Sequence, residues 1–267
     1  MLLSSLNFGA AVPLLLLALA AAPSAIAADQ ASEATRLEAE AETLWNRRDE
    51  PASMRSALDL QERIAAVVPR DARAQANLAR AYWWYAHLLP AANVAERREL
   101  YRQGAGAARR AQALAPAEPS GYFWEAANLV EAITIGRRFV PPDDVFRIRK
   151  LVGEVNARNA WYQHGSIRYV EAVLILRLPA PERWMIGRRL SSAVDLAMGA
   201  LGFENNCFYG HWVLAQALAA TGRRRAAIVQ LDSIIDGNPE GFLPDAPENR
   251  VVRKWAITYR EELAAAR

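Results

Sequence analysis

Tyr82-Trp83-Trp84-Tyr85 places four aromatic side chains in succession. Successive helix residues turn by about 100°, so four in a row nearly circle the axis and cannot all face one core. Two readings follow. The helix is central and packs on two sides, or part of the set, Trp83 and Trp84 first, forms an aromatic wall for an apolar ligand or a partner peptide. Tyr122-Phe123-Trp124 repeats the theme. Behind Tyr122 and Trp124, the residues Glu125, Asn128 and Glu131 share one helix face. That face reads as a polar strip of a binding groove or as a solvated surface. Arg168 and Glu171 sit three apart in an otherwise apolar stretch with Tyr169, Val170, Val173, Leu174 and Ile175. A charge in such a stretch needs a partner. The pair reads as an internal salt bridge, or Arg168 meets a ligand carboxylate. A basic group, Arg137, Arg138, Arg147, Arg149 and Lys150, flanks Pro141-Pro142 and suits an acidic partner surface.

Other reactive residue types are thinly spread. His87, His164 and His211 are the chain's 3 histidines and have no metal-ligand spacing. Cys207 is the 1 cysteine, which excludes a disulfide framework and a Cys-rich zinc site. Gly104-Ala105-Gly106 lacks the Lys-Ser/Thr of a phosphate loop and suits a close helix crossing. No nucleophile elbow, H-E-x-x-H or dinucleotide fingerprint appears, so binding is favoured over catalysis and no cofactor is implied. The net charge of +3 on 267 residues is too small to suggest nucleic acid.

The elements that must carry these residues read as helices. Hydrophobic residues make up 52% and charged residues 23%, a globular composition, and 14 glycines and 14 prolines are few for an all-β chain of this length. Ala227, Ile228, Leu231, Ile234 and Ile235 give a helical stripe over 223–236, stopped by Gly237-Asn238-Pro239. Cys207–Thr221 forms a second helix joined to it at Gly222. The same grammar gives helices over 34–48, 54–68, 72–89, 95–114, 121–136, 143–158, 165–178, 185–201 and 246–265, with Asp143 an N-cap candidate. Phe208–Pro239 matches the tetratricopeptide unit of about 34 residues, with small Ala215 and Ala227 where the two helices cross. The expected fold is therefore all-α, a tetratricopeptide-like array of helical hairpins wound into an α-α superhelix, over residues 28–267.

The first 27 residues read as a secretory signal peptide. An apolar run from Phe8 to Ala22 is followed by Pro23 and by Ala25-Ile26-Ala27. Cleavage there predicts a periplasmic or secreted protein. An uncleaved signal anchor in the inner membrane is the alternative. With Cys207 far from the N-terminus, no lipid anchor is expected.

Pro119-Ser120-Gly121-Tyr122-Phe123-Trp124-Glu125-Ala126-Ala127-Asn128, followed by Asn156-Ala157, His164-Gly165-Ser166-Ile167-Arg168 and Leu176-Arg177-Leu178-Pro179, resembles the T-component (TatT-like) family. That family is associated with tripartite ATP-independent periplasmic (TRAP) transporters, and the resemblance spans roughly residues 97–239. It implies a tetratricopeptide-like exported protein that docks a periplasmic substrate-binding protein, holds an apolar channel and can form a ring-like homo-oligomer. The chain departs from the family in lacking a lipobox and in carrying His164-Gly165 where a paired glycine is usual. A general periplasmic tetratricopeptide scaffold for envelope assembly is the alternative function.

Overall fold

A computed structural model describes residues 25–265 except 138, 203, 205 and 242. Of the signal peptide read over 1–27, residues 1–24 lie outside the described residues, as does Arg138 of the basic group. Among those described there are twelve α-helices and no strand: α1 (Ala25–Trp45), α2 (Pro51–Val67), α3 (Ala72–Leu88), α4 (Val94–Leu114), α5 (Pro119–Thr134), α6 (Pro142–Asn159), α7 (Ile167–Arg177), α8 (Ala180–Met185), α9 (Leu190–Leu201), α10 (Phe208–Ala220), α11 (Arg224–Asp236) and α12 (Ala246–Ala265). No helix among them is long and apolar enough to cross a membrane.

Proline and glycine set the boundaries. Pro51, Pro119 and Pro142 each occupy the first position of a helix, where a missing N–H costs nothing. Asp71 caps α3, its carboxylate accepting from the Ala74 N–H at 2.9 Å. Gly136 and Gly222 turn the chain with φ of 63° and 77°, a region closed to most side chains.

Helices pair as antiparallel hairpins: α1 with α2, α3 with α4, α5 with α6, α7 with α9, and α10 with α11. The first members of successive hairpins also touch, α3 on α5, α5 on α7, α7 on α10, and α10 on the closing α12. They form an inner layer, and α2, α4, α6, α9 and α11 form the outer one. Small residues permit the close approach: Ala107, Ala108, Ala215 and Ala227 are fully buried. At Gly104, a Cβ would collide with the Asn128 carboxamide on α5, so the glycine serves the close crossing expected from the sequence. Leu231 and Ile234 lock α11 inward with no exposed surface, each burial contributing roughly 1.5–3 kcal/mol.

The array closes on itself. Arg250 of α12 donates to both carboxylate oxygens of Asp49 at 2.8 and 2.9 Å, and Arg48 Nη2 donates to the Pro244 carbonyl at 2.6 Å. The first hairpin and the last helix thus meet across the inner layer.

Three expectations need correction. The helix expected over 185–201 begins only at Leu190, as α9; the short α8 precedes it and Gly187 at φ 66° turns the chain between them. Pro141 is the N-cap of α6, and Asp143 lies in the first turn beside Asp144, where both carboxylates face the positive end of the helix dipole. The segment leading into α7 is a 3-10 turn, Tyr162–Gly165, with Gln163 and His164 at φ 49° and 53°.

Candidate functional site

Two cavities open along the inner layer. The first, about 380 Å³, lies at the C-terminal ends of α3, α7 and α12, against α10 and the start of α4. Its aromatic wall is Tyr209 and Trp212 of α10 with Trp255 and Tyr259 of α12; Trp212 meets Trp255 at 6.0 Å between ring centroids and Tyr259 at 5.5 Å. Its polar edge is His87, Arg97 and Arg177 together with Gln216, Thr258 and the exposed Glu262.

These polar groups are satisfied from within. Buried Glu131 of α5 pairs with Arg177 and lies 3.5 Å from His87 Nε2. Burial alone would raise the Glu131 pKa, but Arg177 and His87 outweigh it and hold the carboxyl well below the usual range. His87 Nδ1 lies 2.8 Å from the Trp83 carbonyl and 3.0 Å from the Tyr101 hydroxyl. Arg97 Nε donates to the Ala86 carbonyl at 3.0 Å. Burial pushes the Tyr209 phenol far above its ordinary value, so it stays neutral at physiological pH.

The second cavity, about 290 Å³, lies between the end of α1, the middle of α3 and the start of α12. Trp45, Trp84 and Trp124 line it together with Arg48, Arg80, Gln163, Glu42, Asp245 and Glu248. Arg80 lies 3.9 Å from the Trp45 ring centroid, a close cation–π contact. Burial, reinforced by Arg48, pulls the Arg80 pKa down to about 10. Burial likewise pushes the Glu248 carboxyl up to about 7.

Trp83 stands between the two cavities. It lies edge-on to Trp84 at 5.1 Å and to Trp124 at 6.2 Å, both on the second cavity, and stacks on His87 of the first at 3.9 Å. Tyr209 adds a fourth contact at 6.2 Å. The aromatic run of α3 therefore faces two directions, with Trp84 lining the second cavity and Trp83, which lines neither, packed between residues of both.

No protein-family model matches the sequence, and no curated protein matches it. Among solved structures, the chain is similar to the crystal structure of a thermophilic TPR protein of Thermus thermophilus, with a TM-score of 0.50 and 17% identity over 86% of this chain and 98% of that one. That likeness bears on the fold alone. The fold is a tetratricopeptide-type helical array.

The structure brings some of the sequence-selected residues together and disperses others. Trp83, Trp84 and Trp124 converge at and between the cavities. Tyr122 sits elsewhere, under the Arg158 guanidinium at 3.9 Å, its hydroxyl donating to the Pro116 carbonyl. Asn128 is fully buried and lines neither cavity; its amide donates to the Ala79 and Trp124 carbonyls at 3.1 and 2.8 Å and ties α5 to α3. The Glu125–Asn128–Glu131 strip is therefore neither groove nor solvated surface; all three side chains are buried. Glu171 pairs with Arg188 at 2.7 Å, and Arg168, in the first turn of α7, lines neither cavity. Arg147 is turned to the fold, donating to Glu125 at 2.9 and 2.5 Å alongside Arg109 at 3.3 Å. Arg149 reaches the Ile186 carbonyl at 3.4 Å, and Lys150 is exposed.

Sequence reasoning passes over Arg97, Arg177, Trp212, Trp255 and Tyr259 in the first cavity, and Arg48, Arg80 and Glu248 in the second. A signal exists for part of the aromatic wall: Tyr209 and Trp212, and Trp255 and Tyr259, repeat at i,i+3 and i,i+4 on one face of their helices. The His87–Glu131–Arg177 cluster spans three helices and has no local spacing.

Proposed function

We propose that this chain is a non-enzymatic periplasmic accessory of a TRAP-type uptake system. It binds an apolar solute bearing a carboxylate in the first cavity and docks on a periplasmic substrate-binding protein. The observation that carries the reading is the chemistry of that cavity. Four aromatic rings supply an apolar wall, and the edge holds Arg97, Arg177 and His87 beside one buried carboxylate, Glu131, and one exposed carboxylate, Glu262. Aromatic walls with a few fixed polar groups are how small-molecule sites gain both affinity and orientation. The resemblance of Pro119–Asn128 and the following segments to the T-component family supports the transport setting.

A docking face is available on α6 and α8. Phe139, Phe146 and Trp184 are exposed, at 62%, 48% and 84%. The Val140 N–H bonds to Glu182 and Arg149 bonds to the Ile186 carbonyl, so the loop before α6 and α6 itself both lie against the α8 segment. Arg149 and Lys150 border this face and suit an acidic partner.

The test is capture from the native periplasm with the tagged chain, read by mass spectrometry. Enrichment of a TRAP substrate-binding protein, reduced by Trp184→Asp, is the expected result. Recovery of envelope-assembly proteins instead would replace this reading with that of a general tetratricopeptide scaffold.

A further inference from the structure

The second cavity carries charges that the fold leaves unmatched. Among the described residues, the Arg80 guanidinium makes no hydrogen bond or ion pair; its buried Nε has no partner, and it lies over the Trp45 ring. The neighbouring Arg48 is buried and directs Nη1 and Nη2 to the Trp45 and Pro244 carbonyls at 3.4 and 2.6 Å, while its Nε is unpartnered. Asp245 and Glu248 border the same space and make no ion pair among the described residues, and Glu42 stands exposed at the edge. A desolvated guanidinium and a desolvated carboxyl that do not meet each other are costly to keep. Elsewhere in this chain the corresponding groups do meet, as Arg177 meets Glu131 and Arg188 meets Glu171.

Gln163 adds an independent sign. It lines this cavity and is held at φ 49°, ψ 47°, next to His164 at φ 53°. A left-handed non-glycine residue costs on the order of 1 kcal/mol and collects at binding sites.

We infer that the Arg48–Arg80–Glu248 cavity is a second ligand site, built for a small zwitterion of the amino-acid type with an apolar or aromatic side chain. The ligand carboxylate meets Arg80 and the free edge of Arg48. The ligand ammonium meets Glu248 and Asp245. The side chain lies against Trp45, Trp84 and Trp124. A simple carboxylate leaves the two acids unmatched, and an amine leaves the arginines unmatched. A phosphate dianion adds repulsion from the three acids. The two cavities share no lining residue, so either site can bind with the other empty.

The test is a titration of the full chain carrying Trp255→Ala, which disables the apolar-carboxylate site of the first cavity, with L-phenylalanine, 3-phenylpropionate and 2-phenylethylamine. Tryptophan fluorescence reads binding directly, since three indoles line the cavity. Phenylalanine is expected to give a saturable change, with the other two at least about tenfold weaker, which is about 1.4 kcal/mol. Arg80→Gln and, separately, Glu248→Gln each reduce phenylalanine affinity by a similar factor, while Arg97→Gln, on the first cavity, leaves it unchanged. Should Arg80→Gln fail to fold, the three-probe comparison on the Trp255→Ala chain and Glu248→Gln still decide the matter. Absence of a saturable signal with phenylalanine, or equal binding of phenylpropionate, overturns the inference. So does undiminished binding in a folded Arg80→Gln chain.

Discussion

The two inner cavities are built from the same materials and differ in where their charges go. In the first, Glu131 is held by Arg177 and His87, and Arg97 is held by the Ala86 carbonyl and Tyr101. What remains for a ligand is mainly aromatic surface, with an edge of two arginines, His87 and the exposed Glu262. In the second, Arg80 rests on an indole and Glu248 is desolvated without an ion pair. There the ligand must supply the partners. Internal satisfaction of charge thus separates a cavity that selects by apolar shape from one that selects by charge pattern.

The largest expected effect comes from removing the indole between them. Trp83→Ala deletes a buried indole packed against Trp84 and Trp124 of one cavity and His87 and Tyr209 of the other, and should cost about 3–5 kcal/mol in denaturant unfolding. If the chain still folds, ligands of the two cavities should begin to compete. Continued independence would show that Trp83 is not the divider.

Next is Glu131→Gln, which leaves Arg177 without its counter-charge and should destabilise by roughly 3 kcal/mol. The pH dependence has a definite sign. The folded pKa of Glu131 lies below its unfolded value, so its stabilisation is present above the ordinary carboxylate range and is lost as pH falls through the folded value. The acid limb of the stability curve should therefore flatten in the variant.

Glu248 has the opposite sign. Burial raises its carboxyl from an ordinary 4.5 to about 7. Ionising it costs stability as pH rises through that interval. Glu248→Gln should stabilise the chain above neutrality by on the order of 1–3 kcal/mol and leave acidic pH unaffected. A flat difference across pH 4 to 8, roughly the interval in question, would show that Glu248 is solvated and that the two cavities do not differ as described.

The smallest effect is expected at the closure. Arg250→Ala removes the bidentate contact with Asp49 and should cost about 1 kcal/mol or less globally. Amide exchange in α12 should rise more than in α10. Equal exchange in both would show that the closing contact does not hold α12 over the cavities.

How much of this is legible in the sequence depends on whether the signal is local. The hairpin α10–α11 is readable because its apolar stripe, Gly222 and Pro239 are short-range features. The α8–α9 break escapes such a reading because Gly187 acts through a backbone angle rather than a hydrophobic gap. Trp83, Trp84 and Trp124 stand out as a local run and a near neighbour of one. Asn128 stands out for its place in the helix, yet its side chain serves packing against Gly104. Arg80 and Arg177 look like ordinary surface arginines in sequence. Only the closure of α12 on the first hairpin, and the meeting of α3, α5 and α7, makes them parts of cavities.

The central claim is that the first cavity takes an apolar carboxylate. Calorimetric titration of the full chain with octanoate, beside octanol and beside the Trp255→Ala variant, tests it most directly. Saturable binding of octanoate, weaker by about tenfold for octanol and for the variant, is the predicted result. No saturable heat with octanoate, or binding that the variant leaves unchanged, would contradict it.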